Sequence, residues 1–221
     1  MQVSEAVAAR RSTRAFLDRP IETALLRDIL ERAARAPSGG NLQPWHIHLL
    51  GGAGMERFRA VMEPKLEAGH ADTPEYPIYP SPLAAPYRDR RFAVGEEMYT
   101  RLGIPREDKP ARLRWFQNNW RFFEAPAGLF LFVDREMGAA QWSDLGGYLQ
   151  TVMLLLVEAG LASCPQEAWA VHHKTVASFC DVPENLMLFC GLAIGHPDPD
   201  ASVNALATSR APSNEWLTIH D

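Results

Sequence analysis

The chain has 221 residues, of which 47% are hydrophobic and 22% are charged, and its formal net charge is −5. This length and composition predict one substantial globular domain or two small ones, and the negative charge gives no support for nucleic-acid binding. The cysteines, Cys164, Cys180 and Cys190, show no CxxC spacing, which argues against a disulfide framework or a structural zinc site and favours a reducing cytoplasm.

The first predicted element is a short helix over residues 3–10, which leads directly into a basic cluster, Arg10-Arg11-Ser12-Thr13-Arg14. Three guanidinium groups and two hydroxyls within five residues suit an anion, and a solvated basic turn is the alternative for so short a motif. No apolar signal segment precedes the cluster, so we do not expect a secretory leader. The next helix is predicted from Ala24 to Arg35, with an apolar stripe along one face.

The stretch Ala36 to His46 turns the chain from this helix towards an apolar strand. Pro37 cannot continue the helix, and Gly39 allows the backbone to approach a ligand closely. Ser38 and Asn41 supply a hydroxyl and an amide, which both donate and accept hydrogen bonds. The stretch is therefore a candidate binding loop, and an ordinary polar connection is the alternative.

Trp45 begins a run that predicts a buried strand, and a helix over about residues 55–68 follows it. Five prolines between residues 70 and 86 exclude regular helix or central strand there, so we expect an extended surface excursion. Two helical segments come next, over about 92–102 and 106–120. We interpret residues 70–123 as a lid-like insertion in a single domain of residues 1–221, with aromatic residues that suit a flat ligand, a partner chain or a small core of the lid itself.

The second half begins with a nearly continuous apolar run, Ala127 to Val133, which predicts a strand covered on both faces. A helix over about 139–160 has a mostly apolar face and is predicted to be the central core helix. It contains the longest uncharged apolar run, Val152–Val157, which is far too short to span a membrane. An extended run from Leu161 to Trp169 follows, interrupted by Pro165.

A short helix over 172–180, with His172 and His173 expected on the surface, and a strand from Leu186 to Ile194 complete the predicted elements. The tail from His196 is polar and rich in proline, so we expect it to lie on another surface, such as a partner subunit.

Metal and nucleotide motifs are sparse. His46 and His48 share one face of a strand, but no third ligand has suitable spacing, so we interpret them as structural and expect no metal site. The sequence contains no GxGxxG after a strand, no GxxxxGK[ST] and no GxSxG.

Four short motifs remain: RRSTR from Arg10, PSGGNLQPWH from Pro37, PQE from Pro165 and TSR ending at Arg210. In this order the chain resembles the FMN-dependent nitroreductase family, from Val3 to Arg210, more weakly across the insertion. The resemblance implies an α+β, nitroreductase-like fold with a central mixed β-sheet flanked by helices. It also implies an intertwined homodimer with an extended C-terminal tail.

The resemblance also implies a cofactor site. Arg10, Arg11 and Ser12 would meet the phosphate and ribityl chain of FMN, and Arg14 the pyrimidine edge, where negative charge collects on reduction. A backbone N–H, that of Glu167, would point at the flavin N5, and Arg210 would bind the phosphate, although Thr208 stands where the family often has lysine. The implied cofactor-binding set also includes the loop from the other subunit and the residues beside Glu167, namely Pro37, Ser38, Gly39, Asn41, Pro165 and Gln166.

The implied activity is a two-electron, ping-pong reduction of a small aromatic acceptor, nitroaromatic or quinone-like, with NADH or NADPH as reductant. The flavin carries the chemistry, so no catalytic side chain is assigned. Alternatives are a reductive dehalogenase or flavin-fragmenting enzyme on the same fold, and a flavin-binding protein without turnover. The lid aromatics expected to face the substrate are Tyr87, Trp115, Phe116, Trp120 and Phe123.

Overall fold

A computed structural model of the chain describes residues 1–220. Its helices and strands are, in chain order, α1 (Val3–Ala9), α2 (Thr23–Ala33), β1 (His46–Gly51), α3 (Ala53–Glu67), α4 (Tyr87–Arg101), α5 (Lys109–Phe116), β2 (Ala127–Asp134), α6 (Ala139–Glu158), β3 (Ala162–Gln166), α7 (His173–Cys180) and β4 (Leu186–Gly195). Short 3-10 helices occupy Gly39–Asn41, Gln117–Glu124, Glu167–His172, Ser202–Ala205 and Ser213–Glu215. No helix among the described residues is both long and apolar enough to cross a membrane.

The four strands form one sheet in the order β1-β2-β4-β3, and every neighbouring pair is antiparallel. The α+β prediction is confirmed. The expectation of a mixed sheet is wrong, because the described strands pair only in the antiparallel direction. An isolated parallel bridge joins Ser12 to Ser163 of β3. The apolar runs of β2 and β4 reflect burial on both faces, since both strands are central, and burial does not fix strand direction.

Each face of the sheet is covered by its own core. On one face, α2 and α6 pack against the strands through buried residues such as Ile29, Leu129, Leu145 and Leu156. The prediction that the helix over 139–160 is central is therefore confirmed. The other face is aromatic, because Phe58 packs within 5.4 Å of Phe130 and Trp169, measured between ring centroids.

Two glycines let this aromatic layer approach the sheet. A Cβ atom added at Gly191 would lie 2.4 Å from Cδ1 of Trp169, and one at Gly128 would lie 2.7 Å from Cε1 of Phe122. Real Cβ atoms do not tolerate such distances, so the rings can rest on β2 and β4 only where the side chain is a hydrogen. The indole of Trp169, fixed in this way, also lies beneath the end of β3.

The two edge strands, β1 and β3, differ from the buried central strands. β1 is an edge strand and only half-buried, so the prediction of a buried strand is wrong, since no strand of residues 1–220 lies on its outer side. β3 is the other edge, where Pro165 can sit because the missing N–H does not break a central ladder.

Residues 70–86 contain no regular helix or strand, as the proline spacing predicts. The start of this segment lies on α7: the Asp72 N–H donates to the Val171 carbonyl at 2.7 Å, and the Glu75 carboxylate lies 3.1 Å from Nδ1 of His173. His172 and His173 are therefore buried, and their predicted surface position is wrong. Burial lowers the pKa of His172 to about 4, and neither of its ring nitrogens has a hydrogen-bond partner among residues 1–220.

The two ends of the chain meet beside β3. The Asn204 side chain accepts from the backbone N–H groups of Arg14 and Ala15, at 2.9 and 3.2 Å, and donates to the Ala15 carbonyl at 2.8 Å. The first part of the tail thus packs on its own subunit, whereas Trp216 and Ile219 are 69% and 70% exposed. Contact of the outer tail with a partner stays a prediction.

Candidate active site

A basic cavity of 370 Å³ opens where α1 ends and the tail returns. None of its four arginines forms a salt bridge within the described residues, whereas Arg112, Arg121 and Arg135 elsewhere are paired with glutamates. Four guanidinium groups without carboxylate partners around one cavity form a site for an anion such as a phosphate. The residues that supply its polar lining are Arg10, Arg11, Ser12, Arg14, Thr208 and Arg210.

The backbone of the basic cluster is held from two sides. The Thr13 N–H donates to the Ser163 carbonyl at 2.9 Å, which fastens the cluster to β3. Asn204 holds the next two residues, as described above. The guanidinium of Arg14 donates to the Ser12 carbonyl at 3.3 Å. The arginine side chains therefore project from a turn whose backbone is held at Thr13, Arg14 and Ala15.

A second cavity, of 670 Å³, lies next to the first, and Arg14 lines both. Its floor includes Pro165, Gln166 and Glu167, at the end of β3. Its wall comes from the insertion and is rich in rings, namely Tyr79, Phe92, Tyr99, Trp115, Phe116 and Phe123. A cleft lined in this way suits flat aromatic molecules.

The floor is anchored to the insertion by hydrogen bonds. Gln166 is 1% exposed, and its side-chain amide donates to the Asn119 carbonyl at 2.7 Å and accepts from the indole of Trp169 at 3.3 Å. The indole of Trp120 donates to the Ala168 carbonyl at 2.8 Å. Glu167 begins a 3-10 helix, so its backbone N–H has no acceptor within that helix. The end of β3 thus presents a fixed backbone to the cleft.

The predicted lid aromatics divide into two groups. Trp115, Phe116 and Phe123 line the cleft, whereas Tyr87 is 63% exposed outside it. Trp120 does not line the cleft either; its ring packs against His172, with centroids 4.6 Å apart. Contact of any of these rings with a substrate stays a prediction.

Sequence reasoning missed other rings of the wall, including Phe92 and Tyr99. These two residues lie seven apart, which places them on one face of α4, two turns from each other. The helical period across α4 could have identified them. Both residues lie inside the helix predicted over about 92–102, but the sequence does not show which face of that helix meets the cleft.

The loop from Pro37 to Asn41 lines neither cavity. It packs on α6, where the Gly39 N–H donates to Asp144 at 3.2 Å. Asn41 has a φ of 58°, and the Ser38 hydroxyl accepts from the Gln43 N–H at 3.0 Å. Within one subunit this loop and the basic cluster are not brought together.

The two cavities fit a molecule with a phosphate at one end and a flat ring system at the other. The arginines and Ser12 offer only donors or a hydroxyl, as a phosphate requires, and the neighbouring cleft offers aromatic faces and the backbone at Glu167. FMN has this composition, so the residues present fit that cofactor.

Comparison with known proteins agrees with this geometry. The model of the nitroreductase family matches residues 7–196. The chain is 33% identical to the nitrobenzene nitroreductase of Ectopseudomonas oleovorans, over 99% of this chain and 97% of that protein. It is 36% identical to the 4-nitrobenzoate reductase of Pseudomonas putida, over 92% and 89%.

Solved structures give the same result. The crystal structure of the FMN and NADPH-dependent nitroreductase NfnB from Sphigopyxis sp. strain HMH matches with a TM-score of 0.96 and 48% identity, over 100% of both chains. The FMN-dependent NfnB of Mycobacterium smegmatis, in complex with NADPH, matches with a TM-score of 0.93 and 30% identity, over 100% of this chain and 99% of that one. The chain therefore belongs to the nitroreductase family.

Proposed function

We propose that this protein is an FMN-dependent oxidoreductase that uses NADH or NADPH to reduce nitroaromatic or quinone-like acceptors. The observation that supports it best is the junction at Arg14, where a cavity of unpaired arginines meets a cleft of aromatic rings. The names of the most similar relatives, which include nitrobenzene and 4-nitrobenzoate reductases, support the same activity.

In this proposal Arg10, Arg11, Ser12 and Arg210 hold the phosphate end of FMN. Arg14 places its positive charge at the pyrimidine edge, and the Glu167 N–H donates towards N5. Bound FMN would supply the two-electron redox chemistry between the nicotinamide and the acceptor. The lid aromatics hold the flat reactants in turn in the same cleft and exclude water from it.

The proposed assembly is a homodimer in the cytoplasm. Pro37, Ser38, Gly39 and Asn41 lie apart from the basic cluster of their own chain, so we assign them to the FMN of the partner subunit. The exposed Trp216 and Ile219 of the tail supply apolar surface that a partner could cover.

The function is tested on the purified protein. We expect a yellow protein that releases one FMN per subunit on heating, and whose flavin absorbance bleaches when NADH or NADPH is added without oxygen. Reoxidation by a nitroaromatic compound should then restore the colour. Release of FAD, or a colourless protein that does not take up FMN, would refute the cofactor assignment, and bound FMN that does not bleach would indicate a binding protein.

A further inference from the structure

Two arginines of α4, Arg88 and Arg91, line the aromatic cleft one helical turn apart. The Arg91 guanidinium lies over the Tyr79 ring, 4.2 Å from its centre, in a cation–π contact. Arg91 forms no salt bridge within residues 1–220. Arg88 is paired only with its neighbour Asp89, at 2.9 Å, and both side chains are more than 60% exposed (65% and 62%), so this pair offers little stabilisation for a ligand to overcome.

The acidic residues of the cleft do not neutralise these two arginines. Glu96 also lines the cleft, but Arg112 donates to both of its carboxylate oxygens, at 2.5 and 3.1 Å. That pairing holds the pKa of Glu96 below its usual range, and the charge of Arg112 compensates the charge of the carboxylate. Glu167 belongs to the floor at the end of β3, on a different element. The α4 wall therefore carries two cations: Arg91 has no carboxylate partner among the described residues, and Arg88 has only the exposed Asp89.

We propose that Arg88 and Arg91 bind an anionic group, a phosphate or a carboxylate, of the molecules that enter the cleft. This inference rests on the proposed function and specifies its substrates. A guanidinium fork matches both anions in geometry. Two reactants could bring such a group: the 2′-phosphate of NADPH and the ring carboxylate of a nitrobenzoate. In either case the flat part of the reactant lies among the cleft rings while its anion meets α4.

The test compares wild type, Arg88→Gln, Arg91→Gln and the double variant, each with its FMN. The matched control is Arg114→Gln, because Arg114 is another lid arginine without a salt bridge among the described residues and does not line the cleft. Steady-state kcat/KM is measured with NADPH and NADH as reductants, and with 4-nitrobenzoate and nitrobenzene as acceptors. NADH lacks the 2′-phosphate but keeps the diphosphate bridge, and nitrobenzene lacks the carboxylate.

For the double variant we expect kcat/KM to fall at least about tenfold for the reactant that carries the anion, as for loss of a charged hydrogen bond. The values for NADH and nitrobenzene, and all values for Arg114→Gln, should change less than about twofold. A loss confined to NADPH identifies the phosphate, and a loss confined to 4-nitrobenzoate identifies the carboxylate. Equal changes for NADPH and NADH, together with equal changes for 4-nitrobenzoate and nitrobenzene, would overturn the inference.

A binding measurement separates this inference from the proposed activity. Trp115 lines the cleft, so its fluorescence should be quenched when benzoate or adenosine 2′,5′-bisphosphate binds to the FMN-loaded protein. The double variant should bind the effective anion at least about tenfold more weakly, whereas adenosine 5′-phosphate should show no such difference. Wild-type protein that turns over no acceptor would refute the proposed activity. Wild-type protein that binds neither anion, or binds it as the double variant does, would refute the arginine site.

Discussion

At the scale of single residues, the site contains charged arginines at its cavities and a buried, neutral thiol beside them. Arg14 faces both cavities, so its charge can act on the ring end of the cofactor, whereas Arg210 borders only the basic cavity. Cys164 lies close by, but burial raises the pKa of its thiol to about 11. It is therefore a neutral core residue at physiological pH and offers no thiolate nucleophile.

This division predicts opposite effects for two alanine variants. Arg14→Ala should lower the rate of flavin reduction more than FMN occupancy, because it removes the charged hydrogen bond proposed at the pyrimidine, which is worth about 1–3 kcal/mol. Arg210→Ala should lower FMN affinity, because it removes a phosphate contact, and should leave the potential of the bound flavin nearly unchanged. Flavin content, stopped-flow reduction and redox titration measure these quantities. Indistinguishable behaviour of the two variants would contradict the assignment.

His172 predicts how stability depends on pH. Its pKa in the folded protein is about 4, chiefly because of burial and despite the opposing charge of Asp72, and that value lies below the ordinary value of about 6.5 for the unfolded chain. Between these pH values the unfolded chain binds more protons, so the free energy of unfolding should decrease as pH falls from about 6.5 to about 4, by about 3 kcal/mol at most.

The measurement is urea unfolding at pH about 7 and about 5. His172→Phe keeps a ring against Trp120 but cannot titrate, so its loss of stability between the two pH values should be smaller than that of wild type. His220→Gln, at an exposed position, is the control and should behave as wild type does. Equal pH dependence in His172→Phe and wild type would show that His172 does not cause the loss.

At the scale of elements, the 3-10 helix Glu167–His172 packs closely on β4, where Trp169 lies against Gly191. Gly191→Ala should lower the free energy of unfolding by about 1–3 kcal/mol, because the new methyl group would overlap the ring of Trp169. Gly51→Ala, in the edge strand β1, meets nothing within 4 Å and serves as the matched control. Urea midpoints of both variants test the difference, and a Gly191→Ala midpoint equal to that of Gly51→Ala would contradict it.

The elements also show how far sequence reasoning reaches. The strands β1, β2 and β4 and the core helix α6 were predictable, because long apolar runs and helical periods are local signals, whereas β3 was expected only as part of an extended run. The burial of His172 was not, because residues about a hundred positions earlier cover it, from a segment with no periodic pattern. Arg10 to Arg14 were identifiable as a dense cluster, whereas Arg88 and Arg91 resemble any exposed helical pair until the rings of the cleft are placed beside them.

For the whole molecule, the proposed sharing of loops between subunits predicts complementation. One variant is changed at Arg10 and Arg14 and another at Ser38 and Asn41, so each homodimer lacks part of every site. Because a mixed dimer would contain one intact site of two, refolded mixtures should regain part of the reductase activity. Mass measurement confirms the mixed dimers, and mixed dimers without activity would place the whole site within one chain.

The clamp of Asn204 on Arg14 and Ala15 has a consequence for synthesis of the protein. The ribosome makes the basic cluster first and its clamp 190 residues later. A nascent chain that has not yet released Asn204 and Arg210 therefore has neither the fixed turn nor the complete set of arginines. If FMN binds there as proposed, its complete phosphate site forms only after Asn204 and Arg210 have left the ribosome. A chain that ends before Asn204 would lack both this clamp and Arg210, and we expect it to bind FMN more weakly than the full chain.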